Sequence, residues 1–458
     1  MLKKWVFSFG IASLLAGLLS ACGGGTNNEP AAKPQGSGAP ASGSASAPAA
    51  APVTLKLHMW YNVQQDNWDA VFKAFNQKYP NIKVEAVTAG DNNSTEYLKK
   101  LDLAAASGDQ IDVMMFSSAT YYAQRVGLNM MEPLDSYIAK DGYKVSDEYL
   151  IDPAIGGKTY GLPGKKVTFF VMLNKDHLDE AKLPIPKDWT WDEFMDYAKK
   201  LTKGEGANKR YGTFFYIFPT YNIMALANQM DDPNLVKSDG SSNMDNPLIR
   251  KSLEIRKQME QIDKSAFPYA ETASQKLNYR PLYFSQKTSM LLTGDYMIPE
   301  AGGTDKVPAT FKSVFAPYPK VNKSDPTTTT AGSDMLSVFA RSAHKQEAYQ
   351  FIRWYTTEGI QLQGKYLSSW KKADLNKIID NLIGGTKTPD MVDKESLLAT
   401  MKNSIPQKLY IPPAYQDEAD KAYASEVDKF NLGEQDLETT LKNAKKKVEE
   451  VIQKNSKK

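Results

Sequence analysis

The chain of 458 residues predicts an α/β fold divided into two lobes. Three observations carry that expectation. At this length a single hydrophobic core stops growing and chains split into domains. Strand and helix patterns alternate along residues 53–116, which calls for parallel strands joined by right-handed crossovers. From Pro163 the pattern changes to a nearly unbroken apolar run, Val167 to Leu173, as a strand buried on both faces requires.

Thr54-Leu55-Lys56-Leu57-His58-Met59-Trp60 alternates as a strand. Trp68, Val71, Phe72, Phe75 and Tyr79 then recur at helical spacing until Pro80-Asn81 stops the helix. Ile82, Val84 and Ala86 make a second strand. Leu98, Leu101 and Ala105 mark a helix ending at Ser107-Gly108-Asp109, and Ile111 to Phe116 is a short buried strand. In such sheets ligands sit beyond the carboxyl ends of the strands, which singles out Trp60-Tyr61-Asn62 and Ser117-Ser118. Further on, Trp191 to Leu201 is predicted helical, entered through Thr190 with Glu193 at capping-box spacing. Residues 231–247 form a polar turn region with a hairpin at Asp239-Gly240, and their acids lack the EF-hand spacing. Ile249 to Ile262 and Glu347 to Thr356 are predicted helical, and Thr327 to Thr330 extended. Leu437, Leu441, Ala444, Val448 and Ile452 line one face of a long amphipathic helix, with Lys445-Lys446-Lys447 on its solvated side.

The N-terminus carries an address. Lys3 and Lys4 precede an apolar stretch, Trp5 to Leu19, too short to span a bilayer. It closes on Leu19-Ser20-Ala21-Cys22, which resembles the lipobox of bacterial lipoproteins, where the cysteine is lipidated and becomes the new N-terminus. Cys22 is the only cysteine of the chain. Residues 23–52, rich in Gly, Ala, Pro and Ser, cannot bury enough surface to offset chain entropy and are expected to act as a disordered tether. Two acyl chains give the stable anchoring that one cannot. The expected location is the cell membrane, lipid-anchored on its extracytoplasmic face, the extracellular side in a Gram-positive bacterium.

Composition then removes classes. Lys and Arg number 56 against 53 Asp and Glu, and loss of Lys3 and Lys4 leaves 54 against 53. Electrostatic nucleic-acid binding is not expected from such a balance. One cysteine and three dispersed histidines, His58, His177 and His344, argue against disulfide scaffolds and cysteine-based metal sites. No GxSxG, HExxH or GxxxxGK[ST] motif occurs. No catalytic residue, cofactor or metal site is predicted, although abundant carboxylates leave a glycosidase pair open. The aromatic supply stands out, with seven Trp, 24 Tyr and 18 Phe. Many fall after strands or in loops: Trp60-Tyr61, Tyr121-Tyr122, Phe214-Phe215-Tyr216, Phe218, Tyr221, Tyr296 and Trp370. Flat rings pack on the C–H faces of sugars while polar side chains bond the hydroxyls.

Six segments in one order complete the reading: TLKLHMWYN with FKAFNQKYPNIKVE, SGDQIDVMMF, GKTYGLPGKKVTFFVMLNKDHL, WTWDEFMDYAKKL, KTSMLLTGDYM and AGSDMLSVFARSAHKQEAYQFIRWYTTEG. From Val53 onward the chain resembles the family 1 extracellular solute-binding proteins, maltose-binding-protein-like lipoprotein components of bacterial ABC sugar importers. The resemblance implies a type II periplasmic-binding-protein-like fold with the ligand cleft between two lobes and a three-segment hinge. By analogy the crossings fall near Gly164 to Thr168, Ala316 to Lys320 and Tyr355 to Glu358. That assigns 53–165 and 318–355 to the N-terminal lobe and 166–317 and 356–458 to the C-terminal lobe. It implies a monomer, not an enzyme, that captures a carbohydrate, expected to be an oligosaccharide, by hinge closure and delivers it to membrane permease subunits.

Carried over motif by motif, the resemblance names Asn62 and Gln65 behind Trp60, then Ser117, Ser118 and Tyr121. In KTSMLLTGDYM it names Tyr296 as a stacking ring with Asp295 beside it. Tyr221 is assigned to a further stacking position near Tyr216, and Trp370 to a late one. Maltose-type relatives carry an acid near the first crossing, where this chain has Lys165-Lys166, which raises a uronate ligand as an alternative with Lys165 as a contact. A peptide, a polyamine or a ferric ion held by Tyr121-Tyr122 would keep the fold and change the solute. A carbohydrate-active enzyme would need a carboxylate pair in the cleft.

Overall fold

The computed structural model describes residues 51–89, 92–304, 307–408 and 411–456. The signal segment 1–22 with Cys22, and the tether up to residue 50, lie outside the described residues. No helix among the described residues is long and apolar enough to cross a membrane.

The first α/β unit runs β1 (Val53–Met59), α1 (Trp68–Lys78), β2 (Ile82–Thr88), α2 (Ser94–Ser107), β3 (Val113–Phe116) and α3 (Ala119–Gly127). Leu55, Leu57 and Met59 alternate into the core from β1, while α1 buries Trp68, Val71 and Phe75. Asn93 caps α2 by accepting the N–H groups of Thr95 and Glu96, and Gly108 ends it at φ +80°. β1 pairs parallel with β2 and with β3, as crossovers through helices require.

The chain then makes β4 (Leu162–Asn174), α4 (Trp191–Leu201), β5 (Tyr211–Phe214), α5 (Pro247–Lys257), β6 (Thr288–Gly294), β7 (Ser313–Ala316) and β8 (Ala331–Val338). α6 (Lys345–Trp354), α7 (Leu375–Gly384), α8 (Gln416–Asn431) and α9 (Leu437–Ser456) follow. The expected capping box at Thr190 and Glu193 opens α4. One sheet runs β2-β1-β3-β8-β4-β6-β5, with β7 also on β4.

β4 is the connecting element. Its first half pairs antiparallel with β8, Leu336 opposite Leu162 and Ala331 opposite Thr168. Its second half pairs with β6, Phe169 opposite Gly294, and with β7, Val171 opposite Ala316. The first half belongs to a core built on Leu55, Trp68, Phe75, Phe116, Met335 and Phe351. Past residue 168, Val171 and Leu173 enter a second core with Trp189, Trp191 and Leu292, while Phe170 and Met172 enter a third with Phe315 and Leu382. That two-sided burial is why the run carries no polar alternation. A fourth cluster joins Leu226, Val236 and Leu253 to Tyr423 and Val427 of α8 and Ala444 and Val448 of α9.

Two crossings lie later in the chain than the analogy expects. Tyr318 packs in the second core, and Thr328–Thr329 pairs with Ile405–Pro406. Residues 318–328 therefore stay with the second body, and the chain returns to the first only where β8 begins. Tyr355, Ile360 and Tyr366 pack in the first core, and Leu367 in the third. The passage expected at 355–358 falls at 366–368 instead, because a π-type turn, Tyr355–Gly359, prolongs α6 along the first core.

Candidate functional site

β1 and β3, a parallel pair, end at Met59 and Phe116, while β5 and β6, a second parallel pair, end at Phe214 and Gly294. The loops leaving β1 and β6 reach β4 at Lys165–Thr168. From the first body, Tyr61 receives a hydrogen bond from Lys165 Nζ at 2.9 Å and donates its own to Asp334 Oδ2. From the second, Asp295 Oδ2 accepts the N–H of Thr168 at 2.8 Å. The crossing strand is thus gripped from both sides, at the carboxyl ends where α/β sheets bind ligands.

The Lys165 side chain is 11% exposed and lies 3.4 Å from Asp334, itself buried at the start of β8's inward-facing run. The ammonium also sits 4.8 Å over the Tyr366 ring. Behind it, Tyr366 donates to Asp66 Oδ1, Gln363 Nε2 bonds the Asp66 carbonyl at 2.6 Å, and Tyr355 bonds Gln363 Oε1 at 2.7 Å. Burial pushes both Asp66 and Asp334 above the ordinary carboxylate range, against the pull of Lys165 on each. None of Asp66, Asp334, Tyr355, Gln363 or Tyr366 was singled out by the sequence. They come from three separate stretches of the chain, near 66, 334 and 355–366, and match no spacing rule. Lys165 spends its charge internally on Asp334, which weakens the case for it as an anion contact.

Asp295 is 4% exposed, and burial raises its carboxyl to about 7, opposed by Lys166, then Lys165 and the Thr168 hydrogen bond. Between the unfolded value near 4 and about 7 the folded state holds a proton the unfolded chain has lost. This contribution to stability is therefore complete below pH ~4 and is lost as pH rises toward 7, by about 1.4 kcal/mol per unit across that window. Asp295→Asn keeps an acceptor for Thr168 and is expected to flatten part of the fall in urea midpoint between pH 5 and pH 7.5. An unchanged slope would mean that Asp295 is ionised throughout.

The expected ligand contacts divide into three groups. Asn62 is partly exposed, its side-chain oxygen accepting the N–H groups of Gln64 and Gln65, and Gln65 is exposed beside it. Ser117 and Ser118 are partly exposed at the end of β3. Ser118 Oγ caps α3 by accepting the N–H of Tyr121, whose ring is partly buried. Tyr296 is also partly exposed. Its ring folds back over Gly294, where an added Cβ would lie 2.5 Å from it, and meets Phe169 edge-on at 6.2 Å. Of these, Tyr296 packs directly on the crossing strand through Phe169.

Three others are placed differently. Trp60 is buried against Tyr61 and Tyr97, with ring centroids 4.6 and 5.7 Å away, and offers no open face. Tyr221 is buried in the second core and donates to the Leu292 carbonyl at 2.7 Å, a structural role. The rings left partly open in that loop are Tyr216 and Phe218, 4.5 Å apart and edge-on, with Tyr279 5.4 Å beyond Tyr216. Trp370 packs against the first core and lines a separate groove of about 530 Å³ with Tyr349, Arg353 and Glu148. The ferric alternative loses one of its phenols, because Tyr122 is fully buried with its hydroxyl donated to Pro153 O at 2.9 Å. His177 is structural, hydrogen-bonded to Ser289 and Gln286 and held down at about 4 by burial and by Arg210.

Two α/β bodies sharing a crossing strand, with strand ends converging on it, define a two-lobed binding protein. Residues 61–362 match the family described as "Bacterial extracellular solute-binding protein", and the chain belongs to that family, whose members bind solutes and are not enzymes. A multiple sugar-binding protein of Streptococcus mutans is 22% identical over 320 residues, covering 66% of this chain and 71% of that protein. Among solved structures, an ABC substrate-binding protein of Listeria monocytogenes in complex with cycloalternan superposes with TM-score 0.70 at 20% identity, over 87% of this chain and 98% of that one. A sugar transporter of Rhizobium etli in an open conformation gives TM-score 0.69 at 22% identity, over 87% and 99%. These likenesses show that the fold is the one used by periplasmic sugar-binding proteins.

Proposed function

We propose that this protein is the substrate-binding lipoprotein of an ABC importer, capturing a carbohydrate, most simply a neutral oligosaccharide, between its two bodies. One observation carries the reading: half-open rings of the second body, Tyr216, Phe218 and Tyr296, and polar groups of the first, Asn62, Gln65, Ser117 and Ser118, follow the carboxyl ends of two parallel strand pairs, and one loop from each pair bonds the same crossing strand. Rings suit sugar C–H faces and the polar set suits hydroxyls. The Streptococcus and Listeria relatives support a sugar and an ABC partner. In this reading β4 and the two later passages are the hinge, and a ligand touching both bodies biases the closed state that the permease recognises. Cys22 would carry the lipid anchor.

The test is a thermal-shift screen of the purified protein against neutral and uronate mono- and oligosaccharides. A ligand at about 100 times its Kd adds about 2.7 kcal/mol, a shift of a few degrees. One coherent set of neutral hits is expected. Hits confined to uronates would return the acidic alternative, and no hit with any saccharide, with shifts only in a parallel panel of peptides and polyamines, would retire the carbohydrate.

A further inference from the structure

The family match ends at residue 362, yet the chain returns to the site once more. Ile411 packs against the first core, and an added Cβ on Gly127, at the end of α3, would lie 3.0 Å from Ala414 Cβ. Helix α8 begins two residues later and buries Ala419, Tyr423 and Val427 in the fourth cluster. Tyr423 donates to the Asn222 carbonyl at 3.0 Å, which fixes α8 on the turn at 219–222 that follows β5. On its other side α8 packs against α3, bringing the ion-paired Asp417 and Lys421 near Tyr121. The first turns of α8 therefore lie between α3, which follows β3, and the turn at 219–222, which follows β5, beside the groups proposed to hold the ligand.

At 100° per residue, position 420 falls on the seam between the buried face of Ala419 and Tyr423 and the α3-facing edge of Asp417 and Lys421. Asp420 occupies it. Among the described residues its hydrogen-bond partner is Gln416, which donates through Nε2 at 2.7 Å, and its charged neighbour is the like-charged Asp417. Burial holds its carboxyl up at about 7. Gln416 is 1% exposed, and its Oε1 is buried with no hydrogen-bond partner among the described residues. Asp420 itself keeps partial exposure, and the buried Gln416 acceptor beside it is costly unless something supplies a donor.

We propose that Gln416 and Asp420 are ligand-contacting residues, an acceptor pair that takes hydroxyl donors of the bound carbohydrate from a part of the chain beyond the family-matched segment. The inference rests on the carbohydrate reading above and deepens it by adding a third wall. Acceptors clustered in this way favour a ligand dense in hydroxyl groups over one ending in carboxylates, because a second anion beside Asp417 and Asp420 would be repelled.

The test is calorimetric titration of the saccharide found in the screen into the full-length protein and its Asp420→Ala, Asp420→Asn and Gln416→Ala variants, with melting temperatures measured alongside. Asp420→Ala is expected to raise Kd about tenfold or more, and Asp420→Asn, which keeps one acceptor oxygen, by less. The apo melting temperature of Asp420→Asn should hold or rise at pH 7.5. Unchanged Kd in all three variants would overturn the inference and leave the carbohydrate reading intact, marking the pair as structural. Wild-type protein that binds no saccharide would overturn both.

Discussion

Lys165→Met is expected to destabilise the folded protein at pH 7.5 by about 3 kcal/mol, read as a lowered urea midpoint at constant slope. Removing the ammonium leaves Asp334, 1% exposed, with only the Tyr61 hydroxyl to answer its charge. The asymmetry of buried pairs decides the size: breaking one by deleting a partner costs far more than the intact pair contributes. Two controls make the account falsifiable. Lys165→Met combined with Asp334→Leu should recover most of the loss, since no orphaned charge remains. Lowering the pH should also shrink the deficit. Asp334 is already raised by burial and rises further without Lys165, so the variant gains stability as the pH falls through that raised value and the carboxyl takes up a proton. A deficit that persists at pH 4 would point to lost packing of the lysine stem against Tyr61 and Tyr366 instead.

Tyr296→Ala is expected to raise the Kd for the captured saccharide by one to two orders of magnitude with only a modest change in melting temperature. The ring is partly open, held by Gly294 beneath it and by Phe169 and Tyr279 at its edges. A sugar stacked there would lose both the buried apolar area and the ring contact, about 1.5 to 3 kcal/mol together. Tyr221→Ala is the contrast. That ring is 3% exposed and its hydroxyl serves Leu292, so truncation should cost about 3 kcal/mol or more of stability. If Tyr296→Ala binds like wild type while Tyr221→Ala folds and loses binding, the two assignments are reversed.

Much of the molecule was legible before any coordinates. Leu55, Leu57 and Met59 alternate because β1 packs helices on its buried face, and the run 167–173 does not alternate because β4 is covered on both sides. The ends of β1 and β3 pointed to Asn62, Ser117 and Ser118, and the Gly294-Asp295-Tyr296 turn was visible as a motif. Trp60 and Tyr221 were misjudged because an aromatic after a strand has the same sequence signature whether its ring is open or buried. Exposure is a property of what packs on it. The crossings at 329–333 and 366–368 were placed too early, since nothing in the residues of Tyr355–Gly359 announces that a π-type turn will carry α6 onward.

The sequence by itself determined the order of strands and helices, the absence of nucleophile, metal and phosphate motifs, and the membership of a solute-binding family. These follow from local periodicity and from residues adjacent in the chain. Only the tertiary structure decided which charges neutralise one another. Tyr61, Lys165 and Asp334 are brought within hydrogen-bond reach from three separate segments, and Tyr423 of α8 reaches the Asn222 carbonyl across 201 residues of chain. Electrostatic and hydrogen-bond energies depend on separations of a few ångströms across the fold, and no regular spacing along the chain encodes them.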